Sequence, residues 1–349
     1  MLFLSVPVQE KINFARHLHL TVKSGLALVD GLKLVEKQTS SGSLRKIISR
    51  LVADLNSGKF LSEGLSRYRS VFGDFFISIV QVGEKSGKLS ENLLHLSLEL
   101  RKKKELQSKI VGALVYPIII FVATIGITIF LVFFILPKIL PVLQDLHVAL
   151  PLSTRILIFI VNMSTQFGLY ILGGGIILLI CVRALFQFSF VRFFFHRIVL
   201  YIPIVSGLTR RVTLVDFSRS FGLLLQSGVS IVDALTISAG TIRNLYYRQL
   251  ILFSVEHVRK GEQVADYFAK HQYLFPIMFS NLLKIGESTG HLESNLFYLS
   301  EYYEGEVDDS VRGLTAIMEP LLLLFMGLMV GFVAISIILP IYKISQPAV

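Results

Sequence analysis

The chain has 349 residues, 53% of them hydrophobic and only 17% charged, with a net charge of +10 and a mean hydropathy of +0.67. Soluble chains average about 25% charged residues, and here the apolar excess is gathered in blocks, so composition points to a membrane protein with soluble parts. The single cysteine, Cys181, excludes an intrachain disulfide and any multi-cysteine metal site, and the positive charge reads as a bias toward a cytoplasmic face, with no nucleic-acid partner expected.

Residues 1–13 form a short N-terminal segment whose apolar start, Met1 to Val6, is too short for a secretory h-region and lacks a basic n-region, so the N-terminus is expected in the cytoplasm. Residues 14–110 read as a helical domain. Phe14, Leu18, Val22, Leu26, Val29, Leu32 and Val35 recur at helical spacing, and Ser24-Gly25 divides them into two helices. Leu44, Ile47, Ile48, Leu51 and Leu55 predict a further amphipathic helix that ends at Asn56-Ser57-Gly58. A short helix over Leu61–Tyr68, another over Phe75–Gly83 stopped near Gly87, and a long one over Leu89–Leu106 complete a small all-α bundle.

Three stretches then supply the roughly 20 apolar residues that a bilayer crossing needs. They are 111–136, 156–182, and a third from Leu314 or Ile317 to Leu339, drawn as 314–342. Glu319 is the one charge within them, near the start of the third, where a carboxylate can reach headgroups or a partner helix. Lysine and arginine set the orientation. Residues 1–110 hold 18 of them, including Arg101-Lys102-Lys103-Lys104 at the membrane surface, whereas 137–155 holds only Lys138 and Arg155. Residues 1–110 and 183–313 are therefore placed inside, and the 137–155 loop and the 343–349 tail outside.

The chain also repeats itself. Shifted by 203 residues, Phe14–Pro137 matches Phe217–Pro340 without a gap at 27 of 124 positions, and the identities cluster. Ser24-Gly25 and Asp30 match Ser227-Gly228 and Asp233. Gly83-Glu84-Lys85-Ser86-Gly87-Lys88-Leu89 matches Gly286-Glu287-Ser288-Thr289-Gly290-His291-Leu292, and Asn92, Leu93, Leu96 and Ser97 recur as Asn295, Leu296, Leu299 and Ser300. Pro117 and Pro137 match Pro320 and Pro340. Each repeat is thus one helical domain followed by one span, and the unpaired second span returns the chain so that both repeats share an orientation.

No phosphate-binding loop, H-E-x-x-H, cysteine pair or G-x-S-x-G occurs, so neither a motor nor an enzyme is expected, nor a cofactor. His17 and His19 point to different helix faces and offer no ligand spacing. Asp30, Glu84, Asp233 and Glu287 admit two readings. One is structural, with helix caps and a carboxylate that accepts backbone donors. The other is a site shared at a subunit contact, for a basic surface or a cation such as calcium. Gly83, Glu84, Gly87, Gly286, Glu287 and Gly290 are the partner-contact or structural motif. In the spans, Gly327 and Gly331 form a G-x-x-x-G that permits close helix packing, Gly173-Gly174-Gly175 has the same status, and Asn162 and Gln166 read as hydrogen-bonding glue.

Two homologous helical domains, three spans, a doubled G-E-x-x-G-x-L, and Leu150-Pro151-Leu152-Ser153-Thr154-Arg155 before the second span resemble the type II secretion system protein F family. The likeness covers about Phe14 to Tyr342, although some members carry a segment before the first domain where only about a dozen residues stand here. The resemblance implies an all-α platform protein of the bacterial inner membrane in type II secretion, type IV pilus or competence machines. Its implied partners are a hexameric ATPase, pilin or pseudopilin transmembrane helices, other inner-membrane components and copies of itself. Two rival classes are an oligomeric transporter or channel subunit and a membrane-coupled signalling scaffold.

Overall fold

Every regular element that the computed structural model describes is helical, within residues 6–135, 137–138, 152–203 and 205–345. Leu150 and Pro151, most of the 137–155 loop and the end of the 343–349 tail lie outside the described residues.

The first repeat follows its turn chemistry closely. Helix α1 (Val8–Lys23) stops where Gly25 takes φ +81°, a left-handed conformation that costs glycine little. Helix α2 (Leu28–Gln38) follows, and Ser41 caps α3 (Gly42–Asn56) by accepting the Leu44 N–H. The short α4 (Leu61–Ser66) leads into α5 (Arg69–Ser86), which is broken at Gly73, and then into α6 (Leu89–Phe130). Phe14, Phe72 and Phe76 form the centre of this bundle, with Phe14–Phe72 and Phe72–Phe76 centroids 5.8 and 4.9 Å apart. All three side chains are buried, and each contributes roughly 1.5–3 kcal/mol through the water it sheds.

After α6 a π-helical stretch covers Leu131–Ile135. Helix α7 (Leu152–Leu185) holds the expected second span, and α8 (Ser189–Val199) follows a bend of 97°. The second repeat then runs through α9 (Val205–Gln226), α10 (Ile231–Thr241), α11 (Leu245–Arg259), α12 (Val264–Ala269), α13 (Ile277–Thr289) and α14 (Leu292–Ser345). Its core repeats the first, for Phe217, Phe275 and Phe279 stand at the positions of Phe14, Phe72 and Phe76 and are fully buried with Phe268. One polar contact recurs with the carboxylate moved to the other member. Asp54 faces Lys59 at 3.5 Å, and the equivalent positions hold His257 and Glu262 at 2.9 Å.

The chain divides into two compact units, 1–109 with 193–310, and 110–192 with 311–349. The first holds both repeats' polar bundles and the second holds the spans. Two sequence boundaries look different in the structure. The 110/111 and 313/314 junctions fall inside α6 and α14. Polarity changes there while the backbone stays helical through Gly112 and Gly313, and the Arg101–Lys104 run has high helix propensity. Residues 183–192 group with the spans, because α7 stays helical to Leu185.

Helices α6 and α14 each contain a stretch long and apolar enough to cross a membrane, and the bent Gly173–Leu185 and Ser189–Val199 pair reaches that length and apolarity only when its two helices are counted together. Ile118, Ile119 and Val122 of α6, and Leu323, Leu324 and Leu328 of α14, are about 60% exposed. In water such a surface would be untenable, and lipid covers it at no cost. Within the span unit, the Phe121 and Phe325 rings pack at a tilt of 33°, with centroids 5.9 Å apart. The Thr154 hydroxyl of α7 donates to the Ser336 carbonyl of α14 at 2.8 Å, with both residues buried.

Candidate functional site

The doubled G-E motif forms the same clasp twice. In the first repeat Glu84 Oε1 accepts the Leu61 N–H at 2.6 Å and Oε2 the Ser62 N–H at 2.9 Å. These amides open α4 and have no partner within that helix. A carboxylate suits them, since it also faces the positive end of the helix dipole. In the second repeat Glu287 accepts the Val264 and Ala265 N–H groups at 2.7 and 2.9 Å, at the start of α12.

The glycines around the carboxylate are needed for separate reasons. A Cβ on Gly83 would stand 2.9 Å from Leu89 Cα, and one on Gly286 would stand 2.8 Å from Leu292 Cα. Only glycine lets α5 meet α6, and α13 meet α14, so closely. Gly87 and Gly290 close α5 and α13 in left-handed conformation, at φ +73° and +74°. The buried Asn92 amide then donates to the Ile79 carbonyl, as Asn295 does to Leu282. Gly83, Glu84 and Gly87, with Gly286, Glu287 and Gly290, therefore hold a helical hairpin to the short helix beside it.

Asp30 and Asp233 are not brought to these glutamates. Asp30 is exposed and pairs with Lys33 at 3.1 Å. Asp233 bonds Ser230 reciprocally, the Ser230 Oγ accepting the Asp233 N–H and donating to its carboxylate. Each of the four carboxylates proposed for a cation thus has a protein partner of its own, and they assemble into no ligand cluster among the described residues.

In the spans, Pro117 is buried and lies inside α6, while Pro320 and Glu319 are exposed on α14. A Cβ at Gly327 or Gly331 would meet nothing within 4 Å, so this face of α14 has no helix packed on it among the described residues. Glycines 173–175 are equally open. Thr154, from the loop motif before the second span, acts through its bond to Ser336.

The most concentrated polar chemistry was not foreseen from sequence. Helix α6 of the first repeat lies along α9 and α14 of the second, joined by charges. Arg219 is 3% exposed, with its Nη2 2.5 Å from Glu304 Oε2 and its Nε 3.4 Å from Glu99 Oε2. Lys103 faces Asp216 at 3.2 Å, and toward the membrane end Lys109 faces Asp308 at 2.9 Å. Burial pushes the Glu99 carboxyl up to about 7, against the opposing pull of Arg219, a guanidinium it shares with Glu304. Buried pairs of this kind fix register more than they stabilise, and removing one member leaves a stranded charge. One sequence signal did exist, since Arg219 and Arg16 are among the identities between the repeats.

Comparison with known proteins agrees with the repeat. The family model described as "Type II secretion system (T2SS), protein F" matches twice, over residues 14–137 and 217–340. The chain is similar to the type IV pilus assembly protein PilC of Thermus thermophilus, 35% identical over 331 residues, covering 95% of this chain and 81% of that one. It is similar to the type II secretion system protein F of Vibrio cholerae at 28% over 331 residues, covering 95% and 81%. It is also similar to PilC of Myxococcus xanthus at 27% over 332 residues, covering 95% and 79%.

Proposed function

The chain belongs to the type II secretion system protein F family, and from that premise we propose that it is the inner-membrane platform of a type II secretion or type IV pilus machine, coupling a cytoplasmic ATPase to the extraction and assembly of pilins or pseudopilins. The observation that carries this reading is the continuity of α6 and α14. Each begins in a polar bundle and runs without a break into a membrane span. At 1.5 Å per residue, the 42 residues of α6 make a rod of roughly 60 Å. A push on the bundle passes toward the bilayer along these helices, in which Pro117 of α6 and Pro320 of α14 each leave out one main-chain hydrogen bond.

The orientation follows from the basic residues. The polar bundles face the cytoplasm, where a hexameric ATPase works, and the loop between the first two spans and the C-terminus lie outside. The exposed apolar faces of the spans meet lipid and pilin transmembrane helices, and the platform works with other inner-membrane components of the machine. The domain limits adopted are 14–110 and 183–313 for the bundles. The Glu84 and Glu287 clasps keep the bundle surfaces in shape for a partner, acting as positioning groups.

Co-purification in mild detergent tests the proposal. The tagged full chain should retain the ATPase of its own machine, and retention should disappear when surface charges of the bundles are reversed. A well-folded preparation that retains neither ATPase nor pilin would overturn it.

A further inference from the structure

Helix α8 (Ser189–Val199) lies outside both repeats, and its 11 residues are too few to cross a bilayer. It sits on the second repeat by one face only. Phe193 meets the Tyr246 ring at 5.8 Å, the Asn244 amide donates to the His196 carbonyl at 3.1 Å, and the Leu245 N–H donates to His196 Nδ1 at 3.1 Å. Leu200, one turn after His196, is buried on the same side. At about 100° per residue, the opposite face carries Phe190, Phe194 and Ile198, which are 77, 57 and 41% exposed. Arg197 borders that face on one side and Arg192 on the other, and every residue of the outward arc between them is apolar. The apolar surface continues past the helix into the exposed Tyr201, Ile202 and Val205.

Position and charge say what covers this surface. Only residues 186–188 separate α8 from the end of α7, and α8 leaves α7 at 97°. A helix that turns off the end of a span at nearly a right angle runs along the membrane surface. No carboxylate occurs between Asp145 and Asp216, a stretch that holds Arg183, Arg192, Arg197 and Arg210. Arg192 and Arg197 are exposed and form no ion pair among the described residues, Arg197 lying over the Tyr246 ring at 5.7 Å. An apolar groove on a protein partner would take the arc but bury the two flanking charges. A leaflet accommodates both, since guanidinium heads reach the phosphates while the aromatic rings stay among the acyl chains. Tyr201 adds an amphipathic ring of the kind that gathers at the headgroup level.

We propose that α8 lies flat in the leaflet on the side of the polar bundles, with Phe190, Phe194 and Ile198 among the acyl chains and Arg192 and Arg197 on the phosphates of anionic phospholipids. The second crossing is then made by α7 alone. The contacts with Asn244 and Tyr246 tie the start of α11 to the membrane surface. None of this depends on which machine the chain serves.

The chain contains no tryptophan, so Phe194→Trp gives the full-length protein a single reporter on this face. Phe60→Trp, at an exposed position before α4, is the water-facing reference. Each is reconstituted into vesicles of phosphatidylethanolamine and phosphatidylglycerol. Acyl chains brominated near the headgroups should quench the Phe194→Trp emission more than chains brominated near their ends, and leave the Phe60→Trp emission unchanged. Brominated phosphatidylglycerol should quench with roughly fivefold the affinity of brominated phosphatidylcholine, the worth of about one arginine at an anionic surface. Arg192→Gln with Arg197→Gln should abolish that preference, and Arg192→Lys with Arg197→Lys should keep it. The substituted positions are exposed, so every variant should retain its helical circular dichroism. Stronger quenching from the chain ends would make α8 half of a broken span and overturn the proposal. So would quenching by acrylamide from the water, or protection from both lipid and water, which would put a protein partner on this face. Equal affinity for the two lipids before the arginines are replaced would overturn their assignment to anionic headgroups.

Discussion

Replacing Glu84 by alanine should loosen one short helix and leave the spans alone. The carboxylate accepts two backbone N–H groups, from Leu61 at 2.6 Å and Ser62 at 2.9 Å. Hydrogen bonds to a charged group contribute about 1.5–3 kcal/mol each, and Glu84 is half-buried, so water recovers part of the loss. The net cost is about 2–3 kcal/mol, concentrated at the start of α4. At about 1.4 kcal/mol per factor of ten, amide hydrogen exchange over residues 61–66 should speed up by roughly 30- to 100-fold. Glu84→Gln keeps one acceptor oxygen and should lose about half as much. Glu287→Ala should act in the same way on residues 264–269 and leave 61–66 unchanged. Exchange in 61–66 within twofold of the unaltered protein would refute the clasp and return Glu84 to the reading of a partner-contact residue. The assay is hydrogen exchange by mass spectrometry on the full chain in detergent.

Gly83→Ala or Gly286→Ala puts a methyl within 3 Å of backbone, and overpacking of this kind costs about 1–3 kcal/mol, read as a lower thermal midpoint for the polar unit. Glu99 predicts a pH dependence. Its carboxyl is pushed up to about 7 in the folded chain against an ordinary 4.5, so between those values the folded state holds a proton that the unfolded state has given up. Stability should therefore fall as pH rises from about 4.5 to 7, by at most about 3 kcal/mol, and level off above. Thermal midpoints between pH 5 and 8 should show the slope, and Glu99→Gln should flatten it. Thr154→Val removes the bond to Ser336 and should weaken packing of α7 on α14 by about 1 kcal/mol, measured by the detergent concentration at which the spans lose their protection from proteolysis.

The repeat, the helices and the spans could be read from sequence because each has a local cause. Ser24-Gly25 and Gly58 end helices through the left-handed turns that they permit, and the spans announce themselves by length and apolarity. The role of Glu84 could not be separated from a binding role, since its two donors lie 22 and 23 residues back along the chain. The seam was less visible still. Glu99, Asp216 and Arg219 look like ordinary surface charges on amphipathic helices until α6 is laid against α9. Helix α8 escaped notice because Phe190, Phe194 and Phe195 make its run apolar without giving it the length of a span. Most of its apolar surface is exposed.

The platform reading is tested most directly in cells. Deleting the coding sequence from its own bacterium should abolish assembly of the pilus or pseudopilus while pilin and ATPase levels stay normal, and the unaltered protein supplied in trans should restore filaments. Filaments that assemble normally without the chain would contradict it.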